Sequence, residues 1–391
     1  MQIDPLAIKR ETAPYLAGTY FNSAAAALMS RAVVDATVAH LHRETAVGSY
    51  VAQAEAAEHL ADLYAAAGEL LGCAASEIAL TSGNTEGWRE AVGALRFSPG
   101  DRILVGRSEW GGNYAALEHI ARRTGAVVEV VPCNAFGEIC VDQLANMLDS
   151  RVRLISVTWA PANGGLVNPV AAVGQLARAV GIPYFVDAAQ VVGQLPVNVE
   201  HVGCDVLTAP GRKWLRGPRG TGLLYVRKTF LPHLVPWMVD THTAPFNGQV
   251  YQLRDDTRRL EASEVSLAAQ LGLRIAIRAA LELGVQSIGE CIAERARTIR
   301  ASLGDIPGVT LHDLGRQHSG SVSFTVKGVP ASKVKTLLAS EGVQVASNGE
   351  AFTPLDMRAR GLVDIVRASP HIYTTDADIA CLIQAVRRVA V

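Results

Sequence analysis

The stretch that is most informative about the fold is Gly211-Arg212-Lys213-Trp214-Leu215-Arg216-Gly217-Pro218-Arg219-Gly220-Thr221. Apolar runs typical of strands lie on both sides, at 206–207 and 222–226, so Lys213 is expected on a short loop fixed between two strands. One interpretation is a basic surface turn, such as a nucleic-acid patch. The other is a lysine that forms a Schiff base with an aldehyde cofactor and then acts as a base. The loop alone does not favour the second interpretation, because a short basic run is a weak motif.

Strand and helix patterns alternate along the residues that precede this loop. The strand-like runs lie at 77–81, 102–105, 127–131, 154–158, 183–186 and 205–207. Helical runs of about ten residues separate most of them, which predicts an α/β fold with a mostly parallel sheet covered on both faces. Ligands of such sheets bind beyond the carboxyl ends of the strands.

The length of 391 residues exceeds one ordinary hydrophobic core. We expect an N-terminal arm (1–20), a large domain (21–264), a bridging helix (265–284) and a small α+β domain (285–391). The stretch Gly48-Ser49-Tyr50 is expected to be a loop between two helices, and 232–247 is expected to be a long loop.

Composition limits the classes of partner. The chain carries 36 basic and 37 acidic side chains, a net charge of −1, which argues against a general affinity for nucleic acid or for anionic membranes. It shows neither a signal-peptide pattern nor an apolar run of ~20 residues, so a cytoplasmic location is expected. The six cysteines are scattered without a C-x-x-C pair or a histidine cluster, and we expect neither a metal site nor a disulfide framework.

Polar or aromatic side chains follow four of the predicted strands. The stretch Ser82-Gly83-Asn84-Thr85-Glu86 begins a helix, and could bind phosphate with its amides or be an ordinary N-cap. Asp187 could cap a helix or pair with a protonated pyridine nitrogen. Asn163 could be a turn residue or a donor to a ring oxygen. Trp110 could belong to the core or stack on an aromatic cofactor.

The chain resembles the class V aminotransferase (cysteine desulfurase-like) family of pyridoxal-phosphate enzymes in three motifs and their order: Asn84-Thr85-Glu86, Asp187-Ala188-Ala189-Gln190 and Gly211-Arg212-Lys213. The resemblance extends from Phe21-Asn22-Ser23-Ala24 to Arg367-Ala368-Ser369-Pro370-His371. It implies the fold of the fold-type I pyridoxal-phosphate transferases, with pyridoxal 5'-phosphate as cofactor. It also implies an amino-acid substrate and a homodimer with its sites at the interface.

The family motifs also imply roles for individual residues. Lys213 would hold the cofactor covalently and act as the catalytic base, Asp187 would contact the ring nitrogen, and Trp110 would stack on the ring. The cofactor-binding residues implied in this way are Lys213, Asp187, Gln190, Asn163, Trp110, Asn84, Thr85, Thr208, Arg212 and Ser263. Arg367 would bind the substrate carboxylate with its planar guanidinium, and Asn22 and Tyr50 would also contact the substrate.

Two departures from the family pattern stand out. Relatives carry a serine or threonine three residues before the lysine as a phosphate donor, whereas this chain has Pro210. The missing contact would come from Thr208, or from Ser263 of a neighbouring subunit. Cysteine desulfurases also carry a nucleophilic cysteine on a loop of the small domain, and the corresponding stretch 345–362 has none. A persulfide-forming desulfurase is therefore not expected.

Two stretches, 43–50 and 211–214, resemble the branch that holds isopenicillin-N epimerase-like proteins and the carbon–sulfur lyases of ergothioneine and lincosamide biosynthesis. This resemblance implies a lyase that cleaves a cysteine S-conjugate by β-elimination into pyruvate, ammonia and a thiol, in sulfur-containing secondary metabolism. The alternatives are oxidative decarboxylation and deamination of such a conjugate, amino-acid epimerisation, or transamination. A non-catalytic binding protein with the same fold is the alternative outside enzymology.

Overall fold

The computed structural model describes residues 3–12 and 18–390. The strands within these residues are, in chain order, β1 (Thr19–Tyr20), β2 (Ile78–Thr81), β3 (Arg102–Gly106), β4 (Val127–Val131), β5 (Val152–Thr158), β6 (Tyr184–Asp187), β7 (Val206–Pro210), β8 (Gly222–Val226), β9 (Val309–Leu311), β10 (Val322–Val326), β11 (Val343–Gln344), β12 (Ala346–Gly349) and β13 (Asp364–Ala368).

The helices of the same residues are α1 (Pro5–Thr12), α2 (Arg31–Val47), α3 (Ser49–Glu55), α4 (Ala57–Leu71), α5 (Asn84–Gly93), α6 (Gly111–Thr124), α7 (Val141–Met147), α8 (Val170–Val180), α9 (Val199–Val202), α10 (Leu267–Leu283), α11 (Val285–Gly304), α12 (Ala331–Ser340), α13 (Pro354–Ala359) and α14 (Asp376–Val389). Short 3₁₀ turns lie at Ala75–Glu77, Leu231–His233, Thr257–Leu260 and Glu350–Phe352.

The larger sheet has seven strands in the order β2-β8-β7-β6-β5-β3-β4. Strands β4, β3, β5, β6 and β7 pair in parallel, and β8 is antiparallel to both of its neighbours. Strands β2, β6, β7 and β8 are buried at every residue, since helices cover both faces, as is usual for parallel sheets. The predicted α/β class with a mostly parallel sheet is confirmed.

The smaller sheet is antiparallel, in the order β12-β13-β10-β9, and has a hydrophobic core of its own. Phe21 belongs to that core and is fully buried. The neighbouring strand β1 pairs in parallel with β11, so residues 19–21 pack with the C-terminal part of the chain. The four-part division at residues 20, 264 and 284 remains a prediction, and residues 1–2 and 13–17 of the predicted arm lie outside the described residues.

Helix α10 connects the two parts and packs against α2 and α4. The Ser266 side chain accepts a hydrogen bond from the Ala269 amide at 3.3 Å and caps the first turn. Gly284, at φ 79°, ends this helix and lets α11 begin at the next residue in a new direction.

The loop predicted at 48–50 is wrong. Helix α2 continues to Val47, and α3 begins at Ser49, so the interruption is a single residue, Gly48, at φ 87°. A glycine can take this conformation without steric cost, and the chain therefore changes direction without a longer loop. Among the described residues, no helix is both long and apolar enough to cross a membrane.

Candidate active site

A cavity of about 410 Å³ lies at the carboxyl ends of β5, β6 and β7. Thr158 and Asp187, the last residues of β5 and β6, line it on one side. The first residues of α5 line another, and Lys213, in the loop between β7 and β8, lines the third. A pocket of this size at the carboxyl edge of a sheet suits a small cofactor together with its substrate.

Lys213 lines this cavity from the loop between β7 and β8, two strands that are buried at every residue. Burial, together with the positive charges of Arg212 and Arg367, lowers the pKa of the amine to about 7, although the charge of Asp187 opposes the shift. No hydrogen bond joins the amine to another described residue. Near neutral pH a large fraction of Lys213 is therefore uncharged, the form in which an amine acts as nucleophile or base.

Asp187 ends strand β6 with a side chain that is almost completely buried. Its Oδ2 accepts hydrogen bonds from the Asn84 amide at 3.0 Å and from the Asn113 amide at 2.8 Å. Its Oδ1 accepts one from the Ala189 backbone at 2.9 Å. These three donors fix the carboxylate at the cavity wall.

The N-terminus of α5 forms one end of the cavity. Gly83, the residue before the helix, provides no side-chain cap, so the amides of the first turn remain available to a ligand. Thr85 is exposed and lines the cavity beside them. Unbonded amides at the positive end of a helix dipole, with a hydroxyl close by, make a binding site for phosphate.

Trp110 lines the cavity immediately before α6. Its backbone amide donates to Glu109 Oε1 at 3.1 Å and to Thr158 Oγ1 at 3.0 Å. These bonds fix the backbone from which the Trp110 side chain extends. A Cβ on Gly112 would lie 2.2 Å from the indole ring, so a glycine is required where the ring folds back over the helix.

Gln190 and Asn163, which are both predicted to bind the cofactor, lie in different surroundings. Gln190 lines the cavity, and its amide donates to the Ala24 carbonyl at 3.0 Å and accepts from Trp214 Nε1 at 2.8 Å. Asn163 does not line the cavity. Its amide instead donates to the Gly349 carbonyl at 3.2 Å and accepts from Asn348 at 2.8 Å, across to strand β12.

Arg367 lies on β13 and is almost completely buried. Its Nη1 donates to the Ala162 carbonyl at 2.7 Å, and its Nε has no hydrogen-bond partner among the described residues. Burial, and then the charge of Arg212, lower the pKa of this guanidinium to about 10. A buried guanidinium with no carboxylate partner in the described chain suits an anionic ligand.

Besides Asn163 and Arg367, four further residues with predicted roles do not line the cavity within one chain. Thr208 is fully buried in β7, with no hydrogen-bond partner for its hydroxyl among the described residues. Asn22 is half-buried beside Ser369, Ser263 is exposed and donates its backbone amide to Asp240, and Tyr50 is 88% exposed on α3. Their roles remain predictions. Arg212 does line the cavity.

Three residues that the structure brings to the site had no role predicted from the sequence. Glu109 and Asn113 form a hydrogen-bonded pair behind Asp187, and Arg219 lines the cavity beside Gly220. The spacing of Glu109 and Asn113, four residues apart around the start of α6, is the one signal that could have indicated the pair.

None of the six cysteines lines the cavity. The segment 345–362, which contains no cysteine, forms β12, a 3₁₀ turn and α13. Arg107 and Arg360 both hold Asp356 of this segment, at 3.2 and 3.1 Å. Gly111 allows a close approach, because a Cβ there would lie 1.9 Å from the Ala351 carbonyl oxygen. The segment therefore packs tightly against the start of α6.

The residues present fit pyridoxal phosphate. Lys213 offers an amine of lowered pKa, Asp187 a buried carboxylate and Trp110 an aromatic face, while α5 offers unbonded amides for a phosphate. Each of these groups lines the same cavity. The cofactor would be held by these side chains, and the buried guanidinium of Arg367 lies nearby for an amino-acid carboxylate.

Comparison with known proteins supports this interpretation. The family model for aminotransferase class V matches residues 19–382. A probable cysteine desulfurase of Xylella fastidiosa is 30% identical over 383 residues, which cover 95% of this chain and 90% of the relative. A probable cysteine desulfurase of Mycolicibacterium paratuberculosis is 28% identical over 95% of this chain, which spans 55% of the length of that relative.

Two solved structures share the fold. The cysteine desulfurase CsdA of Escherichia coli, in its S-sulfonic acid form, superposes with a TM-score of 0.90 at 25% identity and covers 99% of this chain and 98% of its own. The cystine C–S lyase C-DES, in complex with cysteine persulfide, superposes with a TM-score of 0.86 at 24% identity, with coverages of 95% and 97%.

Proposed function

The chain belongs to the class V aminotransferase family of pyridoxal-phosphate enzymes, and we propose that it is a lyase that cleaves a cysteine S-conjugate by β-elimination. At the coarser level it is an enzyme of the cysteine desulfurase and carbon–sulfur lyase type. In the proposed reaction, the S-conjugate and one water give a free thiol, pyruvate and ammonium. The carbon–sulfur bond breaks with its electron pair on sulfur, which takes up a proton.

The observation that carries this proposal is the absence of a thiol at the site. A reaction that leaves a persulfide on the enzyme needs a cysteine of the protein that can reach the substrate sulfur, and none of the six cysteines lines the cavity around Lys213. The segment 345–362 contains no cysteine, and an ion pair between its Asp356 and Arg107 holds it in place. Sulfur would therefore leave on the product instead of being transferred to the protein.

The chain's own residues would divide the work as follows. Pyridoxal phosphate, when bound, supplies an electron sink for the pair left at Cα when its proton is removed. Lys213, of which a substantial fraction is uncharged near neutral pH, takes the Cα proton and returns a proton later. Arg367 holds the substrate carboxylate and so fixes the direction of the Cα–H bond towards Lys213. Asp187 keeps a positive charge on the ring nitrogen.

The substrate we propose carries a bulky group on sulfur. Trp110 gives the cavity an aromatic wall, which suits a large apolar substituent. Tyr50 would add a second aromatic side chain only from another copy of the chain, because it is exposed and away from this cavity. A place in the biosynthesis of sulfur-containing secondary metabolites is part of the same proposal.

We also propose a homodimer. Apolar side chains are exposed along one segment, at Val235, Trp237, Met238, Val239, Phe246, Val250 and Tyr251. Exposed apolar patches of this kind are typical of protein–protein interfaces. Sedimentation of the cofactor-loaded protein tests this, since a monomer with full cofactor occupancy would contradict it.

Product analysis tests the proposed reaction. The enzyme is incubated with S-substituted cysteines while pyruvate, ammonia, carbon dioxide and oxygen are followed. Pyruvate with a free thiol supports the lyase. Carbon dioxide release with oxygen consumption would instead identify oxidative decarboxylation, and a D-amino acid or a transferred amino group would identify epimerisation or transamination.

A further inference from the structure

Glu109 is a buried carboxylate to which the proposed reaction assigns no step. It follows β3 and is fully buried. Its Oε1 accepts hydrogen bonds from the Trp110 amide at 3.1 Å, from Asn113 at 3.0 Å and from the Thr158 hydroxyl, and its Oε2 accepts one from Ser156 at 3.1 Å. Its four donors are all uncharged. A buried acid with so many donors is held in one orientation.

Asn113 joins this acid to the carboxylate at the cavity wall. Its Nδ2 donates to Glu109 at 3.0 Å and to Asp187 Oδ2 at 2.8 Å, so both hydrogens of the amide are used between two carboxylates. Asn113 is itself almost completely buried. The two acids are thus connected through one side chain that has no freedom to turn.

We propose that Glu109 is a positioning residue that fixes two cofactor contacts at once, Trp110 through its backbone amide and Asp187 through Asn113. One acid, away from the cavity, then sets both the aromatic face and the ring-nitrogen contact. Supporting residues of this kind decide whether a site is held to within a fraction of an ångström. This inference rests on the cofactor assignment in the proposed function, but not on which reaction follows.

The charge of Glu109 should also make cofactor binding depend on pH. Burial, together with the charge of Asp187, raises the pKa of Glu109 to about 7, against the hydrogen bonds from Thr158, Asn113 and Ser156. Of the ionisable groups, Asp187 and the Tyr184 phenol face it, and burial keeps the pKa of Tyr184 well above its ordinary value. Between pH 6 and pH 8 Glu109 therefore gains its charge while Lys213 loses its own. An ionised Glu109 favours a protonated ring nitrogen at Asp187. Because the titration of Lys213 is common to wild type and to a Glu109 variant, the ratio of their binding constants reports on Glu109.

Two substitutions separate the positioning from the charge. In Glu109→Gln, the amide oxygen can accept from the same three donors as Oε1, and the amide nitrogen can donate to Ser156, whose hydroxyl also accepts. The geometry survives and the charge is lost. In Glu109→Ala both are lost. The matched control is Glu138→Ala, which removes another buried acid, one that is bonded to Arg316 away from the cavity.

The measurement is the dissociation constant of pyridoxal phosphate for the apo-protein, obtained by titration between pH 6 and pH 8, with circular dichroism as a folding check. At pH 6 we expect E109A to bind about 10-fold or more weakly, E109Q to bind within about 3-fold of wild type, and E138A to be unchanged. The ratio of the E109Q to the wild-type constant should grow towards pH 8. Asn113→Ala should weaken binding, and adding it to E109A should cost little more.

Three results would overturn the proposal: binding by E109A as tight as by E138A, binding by E109Q as weak as by E109A, or a ratio for E109Q that is the same from pH 6 to pH 8. If E109A does not fold, E109Q and N113A decide the question alone. Because binding is measured and not turnover, normal cofactor binding with a reaction other than β-elimination would count against the proposed function only.

Discussion

Arg367 on strand β13 donates a hydrogen bond to the Ala162 carbonyl after β5 at 2.7 Å, and this contact joins the smaller sheet to the edge of the larger sheet where the cavity lies. The same guanidinium keeps Nε without a partner among the described residues. One side chain thus has a structural contact and a free donor for an anion. A lysine at this position could not supply both in the same plane.

We therefore expect Arg367→Lys to lower kcat/KM by about 10- to 100-fold, because a charged hydrogen bond to the substrate carboxylate is lost. The absorbance of the bound cofactor should stay as in wild type. Steady-state kinetics with an S-substituted cysteine provide the measurement, and Arg316→Lys, at an exposed arginine that pairs with Glu138 away from the cavity, is the control. Unchanged kinetics in R367K would remove Arg367 from the substrate site.

The pKa of Lys213 gives a prediction in pH. The amine is charged below about pH 7 and neutral above it, and only the neutral amine attacks an aldehyde. The rate at which added pyridoxal phosphate becomes fixed by borohydride should therefore rise from pH 6 to pH 8 and then level off. A rise that continues to pH 10 would show an amine of ordinary pKa. Lys213→Ala should abolish fixation, whereas Lys228→Ala, at an exposed residue, should not.

The contact between Gly112 and Trp110 can be tested with a pair of helical glycines. In Gly112→Ala, the new Cβ would meet the indole ring at 2.2 Å, and the ring must swing away. We expect the protein to fold but to bind pyridoxal phosphate about 3- to 10-fold more weakly, since an aromatic contact is displaced. Gly93→Ala, where nothing lies within 4 Å, is the control and should bind normally. Equal affinities would place Trp110 outside the cofactor site.

Much of this arrangement follows from the sequence, because its signals are local. Strand β4 lies at 127–131 as predicted, helices alternate with the strands of the larger sheet, and the loop carrying Lys213 lies between two strands as predicted. Hydrophobic periodicity is strong in such long segments. Strands β9 and β12 were not predicted. Strand β12 reads Ala346-Ser347-Asn348-Gly349, which has no β-branched or large apolar residue and is a strand only because β13 pairs with it.

The side-chain hydrogen bonds of the site could not be predicted from the sequence, because they join residues that are far apart along the chain. The sequence indicates Asp187 through its motif, yet its donors Asn84 and Asn113 lie 103 and 74 residues away along the chain. Asn84 was predicted in a stretch whose amides could bind phosphate, and its side chain donates to Asp187. Side-chain contacts across several strands depend on sheet order, which local patterns do not contain.

The cysteines give a further prediction. Burial raises the pKa of Cys73 to about 12 and also raises the pKa values of Cys133 and Cys291, so these thiols are poor nucleophiles. Alkylation of the accessible thiols, of which Cys381 is the exposed one, should leave turnover unchanged. Cys133→Ser, close to Arg107, should also be as active as wild type. Loss of turnover together with a protein persulfide would indicate a desulfurase.

The stoichiometry of products from a cysteine with a bulky, apolar S-substituent tests the central claim most directly. With the cofactor-loaded enzyme and a limiting amount of the conjugate, we predict one free thiol and one ammonium for each pyruvate, with no oxygen consumed and no sulfur bound to the protein. Lys213→Ala is the matched blank. Carbon dioxide released with oxygen uptake, alanine with a protein persulfide, or recovery of the intact conjugate as its D-isomer would each contradict the account.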